Sequence, residues 1–178
     1  MAHGQMLGKD EIIKNLLLLD EEITLTFEND DRYNIIIVGG SALVLIDKIS
    51  RATMDIDAIS CSDELKPFME RYNINNNVIA YRNNFPDDYI ERCVKLNVPT
   101  KKISIYTASL EDIVISKLFS VRPQDKEDIC NPKIIAALDW DLLDKIVNSD
   151  DFRDNILSDH AYKMFMLDYR DYREEMHK

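Results

Sequence analysis

The feature that most constrains this 178-residue sequence is a short apolar run, residues 35–38, that ends directly at Gly39-Gly40. A run of β-branched residues with no polar position is typical of a strand that is covered on both faces. Two glycines at its end permit a tight turn, and Ser41 can then cap a helix over residues 42–49. The sequence therefore predicts a strand, turn and helix inside an α/β core.

The turn at Gly39, Gly40 and Ser41 carries the first chemical prediction. Free backbone N–H groups at the start of a helix lie at the positive end of its dipole, which suits the phosphates of a nucleotide. A Gly-Gly turn that serves only chain geometry has the same sequence, so this turn does not establish a function by itself. It needs a second signal.

The second signal is the segment of residues 54–60, in which Asp55 and Asp57 alternate with apolar residues. Alternation predicts a strand that carries both aspartates on one face. Two carboxylates in this arrangement can share divalent cations with the phosphate oxygens of a nucleotide. Asp55 and Asp57 are therefore predicted to bind divalent cations.

Residues 38–41 (Val-Gly-Gly-Ser) and 51–57 (Arg-Ala-Thr-Met-Asp-Ile-Asp) resemble the core motif of the DNA polymerase beta-type nucleotidyltransferase superfamily. Two later segments, residues 110–118 and 122–129, further resemble its AbiEii/MenT-like branch, known for toxins of toxin–antitoxin and phage-defence systems. The resemblance covers roughly residues 33–147. It implies transfer of a nucleoside monophosphate from a nucleoside triphosphate to an acceptor hydroxyl.

The resemblance also implies that Asp55 and Asp57 bind Mg²⁺, or Mn²⁺ in its place, and it implies roles for individual residues. Those expected to bind the nucleotide are Gly39, Gly40, Ser41, Arg51 and Lys117. Those expected to be catalytic are Asp55, Asp57, Lys117 and Asp128, with Asp125 as a secondary candidate. Lys117 fits this role chemically, because a compact positive charge offsets the charge that develops on the transferred group.

One departure from the superfamily pattern concerns the third carboxylate, which lies on a later strand and acts as a general base. The corresponding strand here, residues 102–106, contains no acid. Either Glu111, Asp112 or Asp128 substitutes for it, or the base is dispensable because the transfer depends chiefly on positioning and metal electrostatics. The alternative function is therefore a catalytically degenerate nucleotide-binding or partner-binding module of the same fold.

The acceptor stays open among an RNA 3′ end, a protein and a small molecule. A net charge of −11 opposes a long, sequence-independent grip on nucleic acid, because such binding depends on Lys and Arg. A local basic patch of Lys101, Lys102, Arg122 and Lys126 could still hold a tRNA acceptor stem. The toxin-like resemblance adds an antitoxin protein as an expected partner.

The three cysteines lie far apart without a zinc-binding spacing, and no apolar run is long enough to cross a membrane. A cytoplasmic protein without membrane contact is the expectation.

The predicted fold class is α/β (α+β), with a small mixed twisted sheet of the nucleotidyltransferase type, flanking helices and a C-terminal helical region. The predicted domains are a core over residues 9–122 and a helical region over residues 123–178 that packs on it. Helices are predicted at residues 9–22, 65–72, from 87 onward and 110–119, and strands near residues 78–81 and 101–106, with an Asn-rich loop at residues 73–77.

The C-terminal region is predicted to be helical from residue 124, with Trp140 in one element and residues 152–166 in the next. A tyrosine and phenylalanine repeat over residues 162–172 is predicted to pack, and not to stack on bases. The charged end, residues 169–178, is predicted to be solvated.

Overall fold

The computed structural model describes residues 6–76, 84–155 and 158–177. The chain divides into two compact units, which are described separately: the first comprises Met1–Val78 and Cys93–Ala108, the second Ile79–Arg92 and Ser109–Lys178. Helices and a mixed sheet confirm the predicted α/β (α+β) class. The domain boundary between residues 122 and 123 stays a prediction.

The first unit contains the sheet. Its helices are α1 (Lys9–Thr26), α2 (Gly39–Leu45) and α3 (Lys66–Met69), with 3₁₀ turns at Asp63–Leu65 and Glu70–Tyr72. Its strands are β1 (Tyr33–Ile37), β2 (Ile56–Cys61), β3 (Ile74–Asn75), β4 (Val94–Lys95) and β5 (Ile103–Thr107).

The second unit is helical throughout its described residues. It consists of a 3₁₀ helix at Asp87–Arg92 followed by α4 (Leu110–Leu118), α5 (Pro123–Ile129), α6 (Pro132–Ile135), α7 (Trp140–Val147), α8 (Asp150–Asn155) and α9 (Asp159–Met176).

The five strands lie in the order β3-β2-β1-β5-β4. The central strand, β1, pairs antiparallel with β2 and parallel with β5, while β3 extends β2 in parallel. Four of the five β1 side chains are buried, which confirms the prediction of a strand covered on both faces. Its C-terminal end leads directly into the Gly39-Gly40 turn.

The helix after this turn differs from its prediction. A helix follows the turn as predicted, but it begins at Gly39 and ends at Leu45, so the predicted bounds, residues 42–49, and the predicted cap, Ser41, were wrong. The left-handed conformation of Gly39, with φ of 62°, turns the chain into the helix earlier. A Schellman motif ends it, because left-handed Asp47 allows the N–H of Lys48 to bond the carbonyl of Leu43.

The predicted Asn-rich loop at residues 73–77 was also wrong in part. Asn73 adopts a left-handed conformation, and the chain then enters β3. Neighbouring β2 supplies the hydrogen-bonding partner for this short strand, which local sequence cannot reveal. Short β4 was likewise not predicted. The strand expected at residues 78–81 lies outside the described residues.

A buried carboxylate holds the loop before β5 against α1. Asp20 is 4% exposed, and its carboxylate oxygens accept backbone N–H bonds from Lys101 (2.7 Å), Lys102 (2.8 Å) and Ile103 (2.8 Å). Charge-assisted bonds of this kind are stronger than neutral ones. Asp20 therefore links the C-terminal half of α1 to the start of β5.

We expect Asp20→Asn to lower the free energy of unfolding by about 2–3 kcal/mol, because the neutral amide weakens these bonds and turns an NH₂ group toward a backbone N–H. The measurement is urea unfolding followed by far-UV circular dichroism. Asp10→Asn, on the exposed face of the same helix, is the matched control and should change stability by less than about 0.5 kcal/mol. Equal midpoints for both variants would contradict the assignment.

Aromatic side chains form much of the core of the second unit. Phe119 stacks on Phe165 with ring centroids 4.4 Å apart, and Phe152 contacts both rings. The predicted packing role of the aromatic repeat is thus confirmed. The single predicted element over residues 152–166 was wrong, because Phe152 lies on α8 and Phe165 on α9.

The predicted solvated end, residues 169–178, was wrong in part, because two tyrosines of this mostly exposed segment are buried. Tyr169 and Tyr172 are buried, and the hydroxyl of Tyr172 donates to the carbonyl of Ile129. Arg173 forms a bidentate ion pair with Asp144 of α7, at 2.6 and 2.8 Å for its shortest contacts. Charged residues between the tyrosines made this helix end look exposed, although one of its faces packs.

Low pH should weaken the ion pair between Arg173 and Asp144. The hydrogen bond from Arg173 keeps the pKa of Asp144 below its ordinary value, despite an opposing effect of burial. The pKa of an aspartate in the unfolded chain is about 3.9. Above this pH the ionised Asp144 stabilises the fold, and this stabilisation is lost as the pH falls through the lower pKa that Asp144 has in the folded protein.

We therefore expect Asp144→Asn to lower the melting temperature at pH 7, with a difference from the wild type that shrinks as the pH falls below about 4. Thermal melts across this range measure it. Asp141→Asn, exposed on the same helix, serves as the control. A gap that is constant at every pH would show that the ion pair contributes nothing.

Candidate active site

The carboxylate of Asp57 faces the glycine turn. A β-carbon at Gly39 would lie 3.1 Å from Oδ2 of Asp57, which is too close for an ordinary contact. The left-handed φ of Gly39 also disfavours any side chain there. Gly39 is therefore required both by the turn and by the approach of Asp57, and β2 delivers this carboxylate to the end of β1.

Backbone bonds hold the two segments together. The N–H of Val38 donates to the carbonyl of Asp57 at 2.9 Å, which continues the β1–β2 pairing into the turn. The register shifts by one residue between Ile36 and Ile37, so β2 bulges just after this point. Bulges of this kind redirect side chains and are frequent near active sites.

The hydroxyl of Ser41 is fully buried and connects the turn to β2. It donates to the carbonyl of Val38 at 2.9 Å and accepts the N–H of Asp57 at 3.2 Å. Its side chain therefore positions the turn and Asp57 relative to each other. A direct contact of Ser41 with nucleotide phosphates stays a prediction.

Arg51 lies against the second glycine. A β-carbon at Gly40 would lie 3.1 Å from Nη2 of Arg51, so the guanidinium occupies the space that a larger residue would need. The segment after Arg51 is held by backbone bonds between Thr53 and Leu7, at 2.6 and 2.9 Å. A cation therefore lies beside the turn, where the sequence predicted a nucleotide-binding arginine.

Asp55 is placed differently from its prediction. Strand β2 begins at Ile56, so Asp55 precedes the strand and does not belong to it. Its side chain is half-buried and makes no hydrogen bond or ion pair within the described part of the chain. Asp55 and Asp57 are both hard oxygen donors, which suit Mg²⁺ and Mn²⁺. Their predicted role as metal ligands fits this donor chemistry.

The second unit contains the other predicted catalytic residues. Lys117 on α4 is 5% exposed, and its ammonium contacts Asp125 at 2.5 Å and Asp128 at 2.8 Å, both on α5. Lys117, Asp125 and Asp128 are called the α4–α5 triad below. Ser120 donates a further hydrogen bond to Asp125 at 2.6 Å. The triad residues named by the sequence thus lie together, while their contact with a nucleotide stays a prediction.

The triad also affects the titration of Asp125. Burial raises its pKa, but the hydrogen bonds from Lys117 and Ser120 and the positive charge of Lys117 outweigh this effect, so the pKa lies below its ordinary value. Asp125 is therefore ionised at neutral pH. One lysine charge lies between two carboxylates, Asp125 and Asp128.

The candidates for the third carboxylate already have partners. Glu111 accepts the N–H of Asp139 at 3.0 Å, and thereby supports the start of α7. Asp112 accepts two hydrogen bonds from Arg92, at 2.8 and 3.0 Å, besides the hydroxyl of the helix cap Ser109. Sequence analysis missed Arg92, although a buried acid such as Asp112 requires a cationic or hydrogen-bonding partner.

One lysine of the predicted basic patch makes structural hydrogen bonds within the fold. The ammonium of Lys102 donates to the carbonyls of Phe27 and Asn29 within the first unit. Arg122 and Lys126 belong to the second unit, where Arg122 lies 3.8 Å from Asp125. Lys102 is thus occupied by structural contacts, and an acceptor RNA contact by the remaining basic residues stays a prediction.

Fold and turn together define a class of protein: an α/β domain in which an aspartate from one strand faces a glycine turn at the end of its neighbour. The family model described as "Nucleotidyltransferase of unknown function (DUF6036)" matches residues 14–177. The chain belongs to this nucleotidyltransferase family. Comparisons with curated proteins and with solved structures found no match. The AbiEii/MenT-like branch stays a prediction.

No helix in the described residues is long and apolar enough to cross a membrane. The cytoplasmic location and the antitoxin partner stay predictions.

Proposed function

We propose that this protein is a metal-dependent nucleotidyltransferase that moves a nucleoside monophosphate from a nucleoside triphosphate to an acceptor hydroxyl. The acceptor oxygen forms a bond to the α-phosphorus, the bond from that phosphorus to the bridging oxygen breaks, and pyrophosphate leaves. The proton of the hydroxyl passes to solvent or to a nearby base. Membership of a nucleotidyltransferase family supports the reaction class.

The observation that carries the proposal is the approach of Asp57 to the Gly39 turn, at 3.1 Å from a β-carbon position. Glycine at position 39 leaves the side of the turn that faces the Asp57 carboxylate without a side chain. Nucleotide phosphates and a cation together explain both features, because glycine lets phosphates approach the backbone and the carboxylate binds the cation.

In this proposal Asp55 and Asp57 hold Mg²⁺ or Mn²⁺, which when bound supplies charge stabilisation for the transferred phosphoryl group. Gly39 and Gly40 keep the turn open to the phosphates, and Arg51 adds a positive charge beside it. Ser41 positions Asp57 through its two internal hydrogen bonds. The proposed acceptor is an RNA end, a protein or a small molecule, and an antitoxin is the proposed regulatory partner.

Label transfer tests the proposal. Each α-labelled nucleoside triphosphate is incubated with the protein and Mg²⁺ or Mn²⁺, in the presence of cellular RNA, of no added acceptor, or of a small-molecule extract. Label in one fraction, together with pyrophosphate release, identifies the acceptor class. Absence of label and of pyrophosphate with every nucleotide and fraction would contradict the transferase.

One observation favours the second candidate, a catalytically degenerate nucleotide-binding or partner-binding module. The described residues contain no group of three or more His, Cys, Asp or Glu side chains that could hold a metal ion. Thermal stabilisation by a triphosphate with Mg²⁺ separates the candidates when it is combined with a pyrophosphate assay. Stabilisation without pyrophosphate indicates the module, and both signals together indicate the enzyme.

A further inference from the structure

Strand β3 brings a residue beside Asp57 that the sequence did not single out. The parallel pairing of β2 with β3 sets Asp57 opposite Asn75. Paired residues of neighbouring strands carry their side chains on the same face, with the strands about 4.8 Å apart. Asn75 therefore lies next to the candidate metal ligand.

Burial supports this arrangement. The preceding pair, Ile56 and Ile74, is buried on one face of the two strands, at 0% and 3% exposure. Asp57 and Asn75 are half-buried, as expected for the opposite face. The Asn75 side chain thus shares the face of Asp57, whose carboxylate approaches the glycine turn.

The order of the strands also favours Asn75 over residues of β5. The sheet order is β3-β2-β1-β5-β4, so β3 is the direct neighbour of β2, while β1 separates β2 from β5. Two strand spacings are roughly 10 Å, which is twice the separation between Asp57 and its direct neighbour β3. The strand at residues 102–106, expected to correspond to the third-carboxylate strand, is therefore not the neighbour of Asp57.

We infer that Asn75 is a third oxygen ligand of the Asp55–Asp57 metal site, through its neutral side-chain amide. Asparagine carbonyl oxygens are ordinary ligands of hard cations. With an amide in the third place, the protein ligands carry two negative charges instead of three. This inference rests on the proposed function, because it assumes that Asp57 binds the metal.

Titration with Mn²⁺ alone, followed by electron paramagnetic resonance of the free ion, tests the inference without measuring transfer. We expect Asn75→Ala to weaken Mn²⁺ binding by about tenfold or more. Asn75→Asp should tighten it, because a third carboxylate adds negative charge. Asn76→Ala, an exposed asparagine at the next position, should bind as the wild type does.

Asp57→Asn separates failure of this inference from failure of the proposed function. If Asp57→Asn weakens Mn²⁺ binding while both Asn75 variants match the wild type, the role of Asn75 is overturned and the metal site stands. If the wild type binds no Mn²⁺, or Asp57→Asn leaves binding unchanged, the metal site fails and Asn75 with it. Opposite effects of Asn75→Ala and Asn75→Asp on Mn²⁺ affinity exclude a merely structural role. Two substitutions that only disturbed the structure would not change this affinity in opposite directions.

Discussion

Asp57→Asn is expected to reduce nucleotidyl transfer by roughly 10²–10³-fold while leaving the fold intact. The substitution keeps the size of the side chain and does not change the backbone, so the bonds from Val38 and to Ser41 can persist. What it removes is the negative charge that faces the Gly39 turn. A metal-dependent step should therefore suffer far more than stability does.

The measurement is the rate of label transfer and of pyrophosphate release, with the melting temperature as a check on folding. Asp30→Asn is the matched control, because Asp30 is an exposed aspartate of the same unit. Transfer by Asp57→Asn at the wild-type rate would remove Asp57 from the catalytic site. Loss of transfer by the control as well would indicate a general effect of charge on the protein.

Lys117→Ala should destabilise the protein by about 3–5 kcal/mol, because it leaves two buried carboxylates, Asp125 and Asp128, without their cation. The lysine is 5% exposed and Asp128 is 3% exposed, so water cannot readily replace the lost contacts. Chemical unfolding at pH 7 measures this effect. Lys126→Ala, which removes an exposed lysine from α5, should change stability by less than about 0.5 kcal/mol.

A double variant identifies the source of the loss. In Lys117→Met with Asp128→Asn, one of the two buried negative charges of the triad has also been removed, so the protein should be more stable than with Lys117→Met alone. A double variant no more stable than the single one would show that the triad charges are not coupled. Stability cannot by itself test the predicted phosphate contact of Lys117. For that purpose Lys117→Arg, which keeps the charge, should be compared in the transfer assay.

The resemblance and the local pattern together named most residues of the candidate site, whose roles stay predictions. Glycines after an apolar run and aspartates two positions apart are signals within a few residues, and the fold brings Asp57 to the turn that they indicated. Helix α4 likewise begins at Leu110, as predicted, after the cap residue Ser109, whose hydroxyl accepts the N–H of Asp112. Such features depend on the backbone geometry of a few consecutive residues.

Other parts of the site depended on contacts between distant segments. Asn75 belongs to a two-residue strand that exists because β2 supplies its hydrogen bonds. The partner of Asp112 is Arg92, 20 residues away, and the backbone N–H groups that bind buried Asp20 lie more than 80 residues away. No local periodicity encodes such pairings, since they depend on how the elements pack.

By itself, the sequence determined the class of most elements and the glycine turn, and it named Asp55 and Asp57 as candidate metal ligands, because hydrophobic period and backbone freedom are local properties. Only the tertiary structure decided that Asp57 faces Gly39, that Ser41 links the two strands instead of capping a helix, and that Asn75 lies beside Asp57. These outcomes are set by strand order and register, which depend on long-range hydrogen bonds and on the burial of one face of each strand.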